Sequence, residues 1–181
     1  MSHRAKHLLL GISGSSAATA TPELVAEAAD HADRITVVAT PTAAGLFLAD
    51  GLPFPLFTDE LWKAETENPL HVRLLEEVDW FVVAPATATT LARVATGAAD
   101  TLLAALILAH GPGIYFQPSM NLRMWNNPAT RRNIASLTAD GHHILPTEPT
   151  ESLTSDEPTA VGAIPGTVLS AAASHRGRHA M

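Results

Sequence analysis

Four short apolar runs constrain the fold of this chain more than any other feature of its sequence. They occupy residues 7–12, 35–39, 80–84 and 113–116, and each is followed by Gly, Ser, Thr or Pro residues before a stretch of helical character. A continuous apolar run of this length is typical of a parallel strand that is buried on both faces of a sheet. The repeated order of strand, turn and helix predicts an open α/β sheet, in which ligands bind at the carboxyl ends of the strands.

The bulk composition limits the classes of protein to consider. A chain of 181 residues is long enough for one domain with a sizeable core. Hydrophobic residues make up 46% of the chain and charged residues only 16%, so we expect part of the surface to be covered in a homo-oligomer. The formal net charge is −7, and Lys and Arg are scattered, which argues against a nucleic-acid partner.

The sequence shows neither a targeting signal nor a cysteine. No apolar run approaches the roughly 20 residues that span a bilayer, and the first residues do not lead into a signal peptide. We therefore expect no membrane partner and a cytoplasmic location. The sequence has no cysteine, which excludes thiolate metal ligands and a cysteine nucleophile, and no metal site is predicted. Any thiol chemistry would use a thiol of the substrate.

The remaining elements follow from periodicity and composition. Helices are predicted at residues 22–29, 43–48, 69–78, 91–96, 98–110 and 128–137, and a last strand at 142–146. Residues 54–62 are predicted to be irregular apart from an edge strand near Leu56. Residues 147–158 are rich in Thr, Glu, Ser, Asp and Pro, which predicts a mobile loop. We accordingly divide the chain into a domain of residues 1–146, a mobile segment of 147–163, and a C-terminal segment of 164–181 with a helix and a disordered tail from Ser174.

Hydroxyl-bearing residues follow the first strand in a Gly/Ser turn. Gly14, Ser15 and Ser16 stand between this strand and a helix that is entered at Pro22. Such a turn can bind an anion, because free backbone N–H groups and hydroxyls converge there and the helix dipole favours negative charge. Turns of this composition also end strands for steric reasons alone. The pattern is neither GxGxxG nor GxxxxGK[ST], so a dinucleotide fingerprint or a P-loop is not supported.

Threonines follow the second and third strands in the same way. Thr40 and Thr42 come after the second strand, and Thr87, Thr89 and Thr90 after the third. They lie at the edge where a ligand would bind, and their hydroxyls can meet its oxygens. For Thr40 and Thr42, however, plain helix capping is the better-supported interpretation from these residues alone.

Two further stretches contain candidate residues for a functional site. Residues 118–125 read PSMNLRMW and follow the fourth strand directly, so apolar side chains stand where a loop is normally polar. They line a pocket or a subunit contact, or they are a helix start with a buried Trp. His71 lies in the first turn of a helix entered at Pro69 and can point toward the sheet edge, although a lone histidine in a helix is usually structural or solvated.

Four segments stand out by their order and spacing: GISGSSAA at 11–18, LHV at 70–72, PATATT at 85–90 and PSMNLRMW at 118–125. Together they resemble the homo-oligomeric flavin-containing cysteine decarboxylases, which include the 4′-phosphopantothenoylcysteine decarboxylases and the lanthipeptide-type peptidyl-cysteine decarboxylases. The last segment matches the PxMNxxMW motif of that family at every fixed position, and the third resembles its PASANT motif. The resemblance implies a Rossmann-like flavodoxin-type fold, with a three-layer parallel sheet flanked by helices in a single domain.

The resemblance also implies a role for each cluster. The ribityl chain and phosphate of a flavin, FMN in preference to FAD, would contact Gly14, Ser15, Ser16, Thr40 and Thr42. The isoalloxazine side would be lined by Thr87, Ala88, Thr89, Thr90 and Ser119. His71 matches the active-site histidine, which assists proton and hydride removal from the Cβ–SH unit. Asn121 matches the asparagine that binds the substrate carboxylate, and Met120 packs against flavin or substrate. The family forms trimers, often assembled into dodecamers, with flavin at the subunit interface.

Two departures from the family pattern bear on the substrate. Thr89 replaces the asparagine of PASANT, so one hydroxyl stands where an amide offers both a donor and an acceptor. The pantothenate-pathway enzymes carry a C-terminal cysteine that assists reduction of an enethiolate, and this chain has none.

The missing cysteine predicts oxidative decarboxylation of a C-terminal cysteine in a ribosomally made precursor peptide. The product would be an aminoenethiol for an aminovinyl-cysteine ring, and residues 147–158 would form a flap over the peptide. A phosphopantothenoylcysteine decarboxylase of coenzyme A biosynthesis and a non-catalytic flavin-binding regulatory subunit stay open as alternatives.

Overall fold

The computed structural model describes residues 4–48, 52–64, 69–152, 155–163 and 166–179. Its strands are β1 (Ala5–Ile12), β2 (Ala32–Ala39), β3 (Leu56–Phe57), β4 (Trp80–Ala86), β5 (Tyr115–Pro118), β6 (Met120–Asn121), β7 (His143–Ile144), β8 (Glu148–Ser152) and β9 (Ser155–Gly162). Six of them form one sheet in the order β3-β2-β1-β4-β5-β7, and every pair in it is parallel. The open α/β sheet predicted from the apolar runs is confirmed.

The helices are α1 (Thr21–Ala28), α2 (Pro41–Leu46), α3 (Asp59–Ala64), α4 (Leu70–Leu74), α5 (Ala88–Ala95), α6 (Leu102–His110), α7 (Leu122–Trp125), α8 (Pro128–Ala139) and α9 (Val168–His179). They cover both faces of the sheet. Alternate residues of β1 face opposite ways, so Leu8 and Leu10 join one buried cluster with residues of α1, α2 and α9. Leu9 joins the other cluster, with residues of α4, α5, α6 and α8. The three-layer arrangement is therefore the one that the resemblance implied.

Three helices differ from the prediction by three or more residues at one end. The helix predicted from residue 98 begins at Leu102, because the Thr101 side chain accepts a hydrogen bond from the Ala104 N–H and caps it there. α4 stops at Leu74, shortly before Glu77 takes a positive φ of 60°. α5 begins three residues earlier than predicted, at Ala88. Gly97, which follows the C-cap Thr96, has a φ of 70°, the conformation that favours glycine after a helix.

The segment from residue 54 to 62 is not irregular beyond its edge strand. The predicted β3 is present, but residues 59–64 form α3, which the sequence analysis missed. Asp59 opens this helix, is buried, and accepts a hydrogen bond from the Leu102 N–H over 3.1 Å. α3 is thus held by a contact with a helix distant in sequence, which local composition does not reveal.

The prediction of a loop at residues 147–158 was wrong in its secondary structure. β8 and β9 form an antiparallel pair, and β9 also pairs with β6 in a second sheet of order β6-β9-β8. Tertiary pairing here overrides a composition of low strand propensity. Residues 153 and 154 lie outside the described residues, and the proposed mobility of this segment remains a prediction.

The prediction of a disordered tail from Ser174 was also wrong over the described residues, since α9 extends to His179. Leu169 and Ala172 are fully buried in the cluster that includes α1. Arg176 forms an ion pair of 3.0 Å with Asp79. These contacts explain a helix where composition predicted a tail; residues 164, 165, 180 and 181 lie outside the described part. No helix of that part is long and apolar enough to cross a membrane.

Candidate active site

The loops that follow five parallel strands meet at one edge of the sheet. Because β1 to β5 are parallel to one another in this sheet, the segments that follow them all leave the sheet at its carboxyl edge. Those segments begin at Ser13, Thr40, Thr58, Thr87 and Ser119. The hydroxyl clusters predicted from separate parts of the sequence are therefore brought to a common edge.

The Ser13 side chain links the end of β1 to the end of β4 by hydrogen bonds. It is fully buried, and its hydroxyl donates to the Pro85 carbonyl over 2.7 Å while accepting from the Thr87 N–H over 2.8 Å. The neighbouring Ser15 hydroxyl lies 2.8 Å from that of Ser119, at the end of β5. Sequence reasoning gave Ser13 no role, although a serine directly after a buried strand was a usable signal.

Gly14 marks a close approach between the first and second loops. A Cβ atom placed on Gly14 would lie 2.5 Å from Cγ2 and 2.6 Å from Cβ of Thr42. No side chain fits at such distances, so glycine is required here for space. Thr40 is buried and its hydroxyl accepts from the Ala43 N–H over 3.4 Å, which makes it a cap of α2, as the residues alone had favoured.

The third loop is organised by its own threonines. The Thr87 hydroxyl accepts from the Thr90 N–H over 3.3 Å and lies 3.2 Å from the Thr90 hydroxyl, so these two residues build the start of α5. Ala88 is half-buried, and Thr89 is exposed. The side chain that replaces the motif asparagine is therefore the one that points away from the helix cap.

The hydroxyl groups at this edge divide into two sets. Hydrogen bonds within the protein engage one set, which either joins two loops or caps the start of a helix: Ser13, Ser15, Thr40, Thr87, Thr90 and Ser119. Within the described residues, the side-chain hydroxyls of Ser16, Thr42 and Thr89 make no hydrogen bond. Uncharged donors beside a backbone without room for a Cβ fit the phosphate and ribityl oxygens of FMN. The hydrogen-bonded hydroxyls therefore shape the site, and the unbonded hydroxyls are available to a ligand.

Asn121 presents an oriented amide at the end of β6. Its Oδ1 accepts a hydrogen bond from the Arg123 N–H over 2.7 Å. Because a backbone N–H can only donate, this bond identifies the amide oxygen. Among the described residues the NH₂ group has no hydrogen-bond partner, and Asn121 is exposed. Met120, beside it, is buried and pairs with Val161 of β9. Trp125 packs under Arg131, whose guanidinium lies 4.4 Å from the ring centre, in the packing role expected for it.

His71 lies in the first turn of α4. This helix lies in the connection from β3 to β4, which leaves the sheet at its carboxyl edge. The Trp62 Nε1–H donates to His71 Nδ1 over 3.1 Å. Both side chains are half-buried. Trp62 was missed by sequence reasoning, because the contact depends on the unrecognised α3.

Comparisons with known proteins identify the family. A protein-family model described as Flavoprotein matches residues 1–174. The chain is 36% identical over 146 residues to the phosphopantothenoylcysteine decarboxylase of Mus musculus, covering 77% of this chain and 72% of the mouse protein. It is 35% identical over 149 residues to the mersacidin decarboxylase of Bacillus sp. (strain HIL-Y85/54728), covering 81% of this chain and 75% of that protein. It spans only 38% of the coenzyme A biosynthesis bifunctional protein CoaBC of Mycobacterium tuberculosis, at 34% identity over 166 residues and 88% of this chain.

Solved structures are similar over nearly the whole chain. A PPC decarboxylase mutant complexed with pantothenoylaminoethenethiol has a TM-score of 0.84 at 30% identity, and the match covers 98% of this chain and 100% of that one. The FMN-dependent cysteine decarboxylase SpaF has a TM-score of 0.75 at 28% identity, covering 97% of this chain and 99% of that one. These matches confirm the fold and its extent as a single domain.

Family, fold and site chemistry agree. The matched relatives are decarboxylases, the solved neighbours act on or hold cysteine-derived thiols, and the uncommitted hydroxyls fit a flavin phosphate. The chain therefore belongs to the flavoprotein family and is a flavin-dependent cysteine decarboxylase, with FMN as the expected flavin.

Proposed function

We propose that this chain decarboxylates the C-terminal cysteine of a ribosomally synthesised precursor peptide and releases an aminoenethiol for an aminovinyl-cysteine ring. The observation that carries the proposal is the absence of any cysteine from the sequence. Without a protein thiol to assist its reduction, an enethiol product stays unsaturated. In agreement, a PPC decarboxylase in which a cysteine is replaced by serine holds a pantothenoylaminoethenethiol.

The reaction needs an electron sink before carbon dioxide can leave. Loss of the carboxylate from an unmodified cysteine would leave a carbanion with nothing to stabilise it. Bound FMN would supply a two-electron acceptor for the thiol-bearing carbon, and the resulting thioaldehyde of the substrate could take up the electron pair of the breaking C–C bond. The balance is a loss of carbon dioxide and two hydrogens from the peptide.

Asn121 is assigned to the substrate carboxylate. Its Oδ1 accepts a hydrogen bond from the Arg123 N–H, which leaves both N–H donors of the amide for the substrate carboxylate, a group that can only accept hydrogen bonds. His71 is assigned to the Cβ–SH unit. Its Nδ1 accepts from Trp62, and no other described residue bonds the ring, so Nε2 is left for the substrate. The two residues then hold the leaving carboxylate and the reacting sulfur of one cysteine.

The pair of strands β8 and β9 is assigned as a flap over the peptide's C-terminus. β9 pairs with β6 through Asn121 opposite Ala160, so this pair of strands is attached to the backbone that carries the carboxylate-binding amide. A peptide whose last carboxylate lies on Asn121 would pass beside these strands. Residues 147–163 are thereby proposed as the part that discriminates a peptide from a smaller cysteine derivative.

The remaining roles follow the same scheme. We assign the surroundings of the ribityl phosphate to Gly14, Ser15, Ser16, Thr40 and Thr42. The loops at Thr87 and Ser119 are proposed to line the isoalloxazine ring. A homo-oligomer of trimers, assembled into a dodecamer in the cytoplasm, is proposed as the working form. Exposed apolar side chains support subunit contacts, among them Leu46 at 74% and Leu108 at 57% exposure.

The test is the mass of the product. The FMN-loaded protein is incubated with synthetic peptides ending in Cys and, as a control, with the same peptides ending in Ser. Loss of carbon dioxide plus two hydrogens from the Cys peptides alone supports the proposal. Loss of carbon dioxide alone, or no change in any Cys peptide, contradicts it.

A phosphopantothenoylcysteine decarboxylase is the second candidate, favoured by the 36% identity to the mouse enzyme. The same mass measurement on 4′-phosphopantothenoylcysteine separates the two. Turnover of this small substrate, with none of the peptides, would assign the chain to coenzyme A biosynthesis.

A further inference from the structure

Trp62 makes the one hydrogen bond that the described residues give to the His71 imidazole. Its indole Nε1–H lies 3.1 Å from Nδ1, and the rings meet edge to face, with 5.9 Å between their centroids and 84° between their planes. An indole nitrogen donates and cannot accept. The direction of the bond therefore follows from the chemistry of the indole alone.

The bond determines the protonation pattern of the ring. Nδ1 must offer a lone pair to the indole, so it carries no hydrogen while the bond is present. A neutral imidazole has one N–H group, which is then on Nε2. Nε2 is also the nitrogen left for a ligand, so His71 meets that ligand with a hydrogen-bond donor.

The partner is held firmly enough to impose this tautomer. Trp62 lies on α3, whose first residue, Asp59, is buried and bonded to the first N–H of α6. The Trp62 ring also packs in the cluster that contains Leu70, the residue before His71. Both ends of the hydrogen bond are thus fixed to the same part of the core.

We propose that Trp62 is a positioning residue that holds His71 as the Nε2–H tautomer, so that His71 donates a hydrogen bond to the sulfur of the substrate cysteine. The inference rests on the proposed function and refines the expectation that His71 assists proton removal. A donor at this point stabilises the thiolate, and the thiol proton passes to solvent and not to the imidazole. The thiolate is the electron-rich form from which electrons are withdrawn.

The chain contains a matched control for this bond. Trp80 also has a buried indole N–H, but that group has no hydrogen-bond partner within the described residues. It lies at the start of β4, at the opposite edge of the sheet. Trp62→Phe and Trp80→Phe therefore remove the same chemical group, and only the first breaks a bond to His71.

The experiment combines nitrogen NMR with kinetics. The nine histidines are labelled with ¹⁵N in their rings, and His71→Asn identifies the His71 signals by their loss. In the wild-type protein without substrate, Nε2 is expected to be protonated and Nδ1 not. Trp62→Phe is expected to lose this single-tautomer pattern and to lower kcat on a Cys-ending peptide by about fivefold, the effect of one neutral hydrogen bond, with a smaller change in KM. Trp80→Phe is expected to change neither.

A protonated Nδ1 in the wild-type protein would overturn the inference, and so would a Trp62→Phe variant that matches Trp80→Phe in both measurements. If Trp62→Phe does not fold, the wild-type spectrum alone decides the tautomer. If no Cys-ending peptide reacts with the wild-type protein, the proposed function fails. The spectrum still reports separately on the role of Trp62.

Discussion

The hydroxyl oxygens of Ser15 and Ser119 lie 2.8 Å apart, although the residues are 104 positions apart in sequence. They join the loop after β1 to the end of β5, across the end of the intervening β4. Two motifs that the sequence offered separately, the Gly/Ser turn and PSMNLRMW, are therefore physically connected. The bond therefore links the loop proposed to contact the flavin phosphate to the strand end that precedes the proposed carboxylate site.

This hydrogen bond should contribute to stability and to flavin binding together. Ser15→Ala and Ser119→Ala are each expected to lower the free energy of unfolding, and a double-mutant cycle should give a coupling of about 1 kcal/mol between them. Urea unfolding and FMN titration by flavin fluorescence measure both effects. Additive losses, with no coupling, would mean that the two hydroxyls do not act as a pair.

Gly14 should tolerate no side chain. Gly14→Ala places a methyl group 2.5 Å from Thr42 Cγ2, so one of the two loops must move, and FMN affinity is expected to fall at least tenfold. Gly45→Ala is the control, because a Cβ there has no atom within 4 Å. As a helical position in α2, it should gain up to about 1 kcal/mol of stability. FMN titration and thermal unfolding of both variants measure these effects. The same measurements on the double variant Gly14→Ala with Thr42→Gly test whether the clash with Thr42 is the cause.

Much of this arrangement was predictable, for a specific physical reason. Strands buried on both faces leave continuous apolar runs, and parallel pairing then brings the hydroxyls after them to one edge without any knowledge of contacts. The contact between Trp62 and His71 was not predictable, because it requires α3, which is fixed by Asp59 and a distant helix. The same holds for β9, which pairs with β6, and for β8, which pairs with β9.

Stability should fall as the pH is lowered below 6.5, because of His7. Burial lowers the pKa of His7 from its ordinary value of 6.5, against the opposing effect of its bond to the Glu76 carbonyl. The unfolded chain therefore binds this proton more tightly. The stability is full above pH 6.5 and is lost as the pH falls from 6.5 through the folded-state pKa. Burial lowers the pKa of His142 too, with the same sign.

Urea unfolding between pH 5 and pH 8 measures this dependence. His7 is bonded through Nδ1 to Glu76 and through Nε2 to Thr36, so His7→Gln should be less stable at pH 8. Its unfolding free energy should nevertheless depend less on pH than that of the wild type. An unchanged slope in His7→Gln would assign the pH dependence to other groups.

Asn121 offers the sharpest test of the carboxylate site, because the next helix repeats its capping geometry. Asn127 Oδ1 accepts from the Ala129 N–H over 2.9 Å, as Asn121 Oδ1 does from Arg123. Replacing either residue with Asp keeps the cap, so both variants should fold. Only Asn121→Asp would turn the donor that meets the substrate carboxylate into a repelling charge.

We expect kcat/KM on a Cys-ending peptide to fall by about tenfold to hundredfold in Asn121→Asp, the effect of one hydrogen bond to a charged group. Asn127→Asp should match the wild type. Equal losses in the two variants would show that Asn121 acts only as a cap.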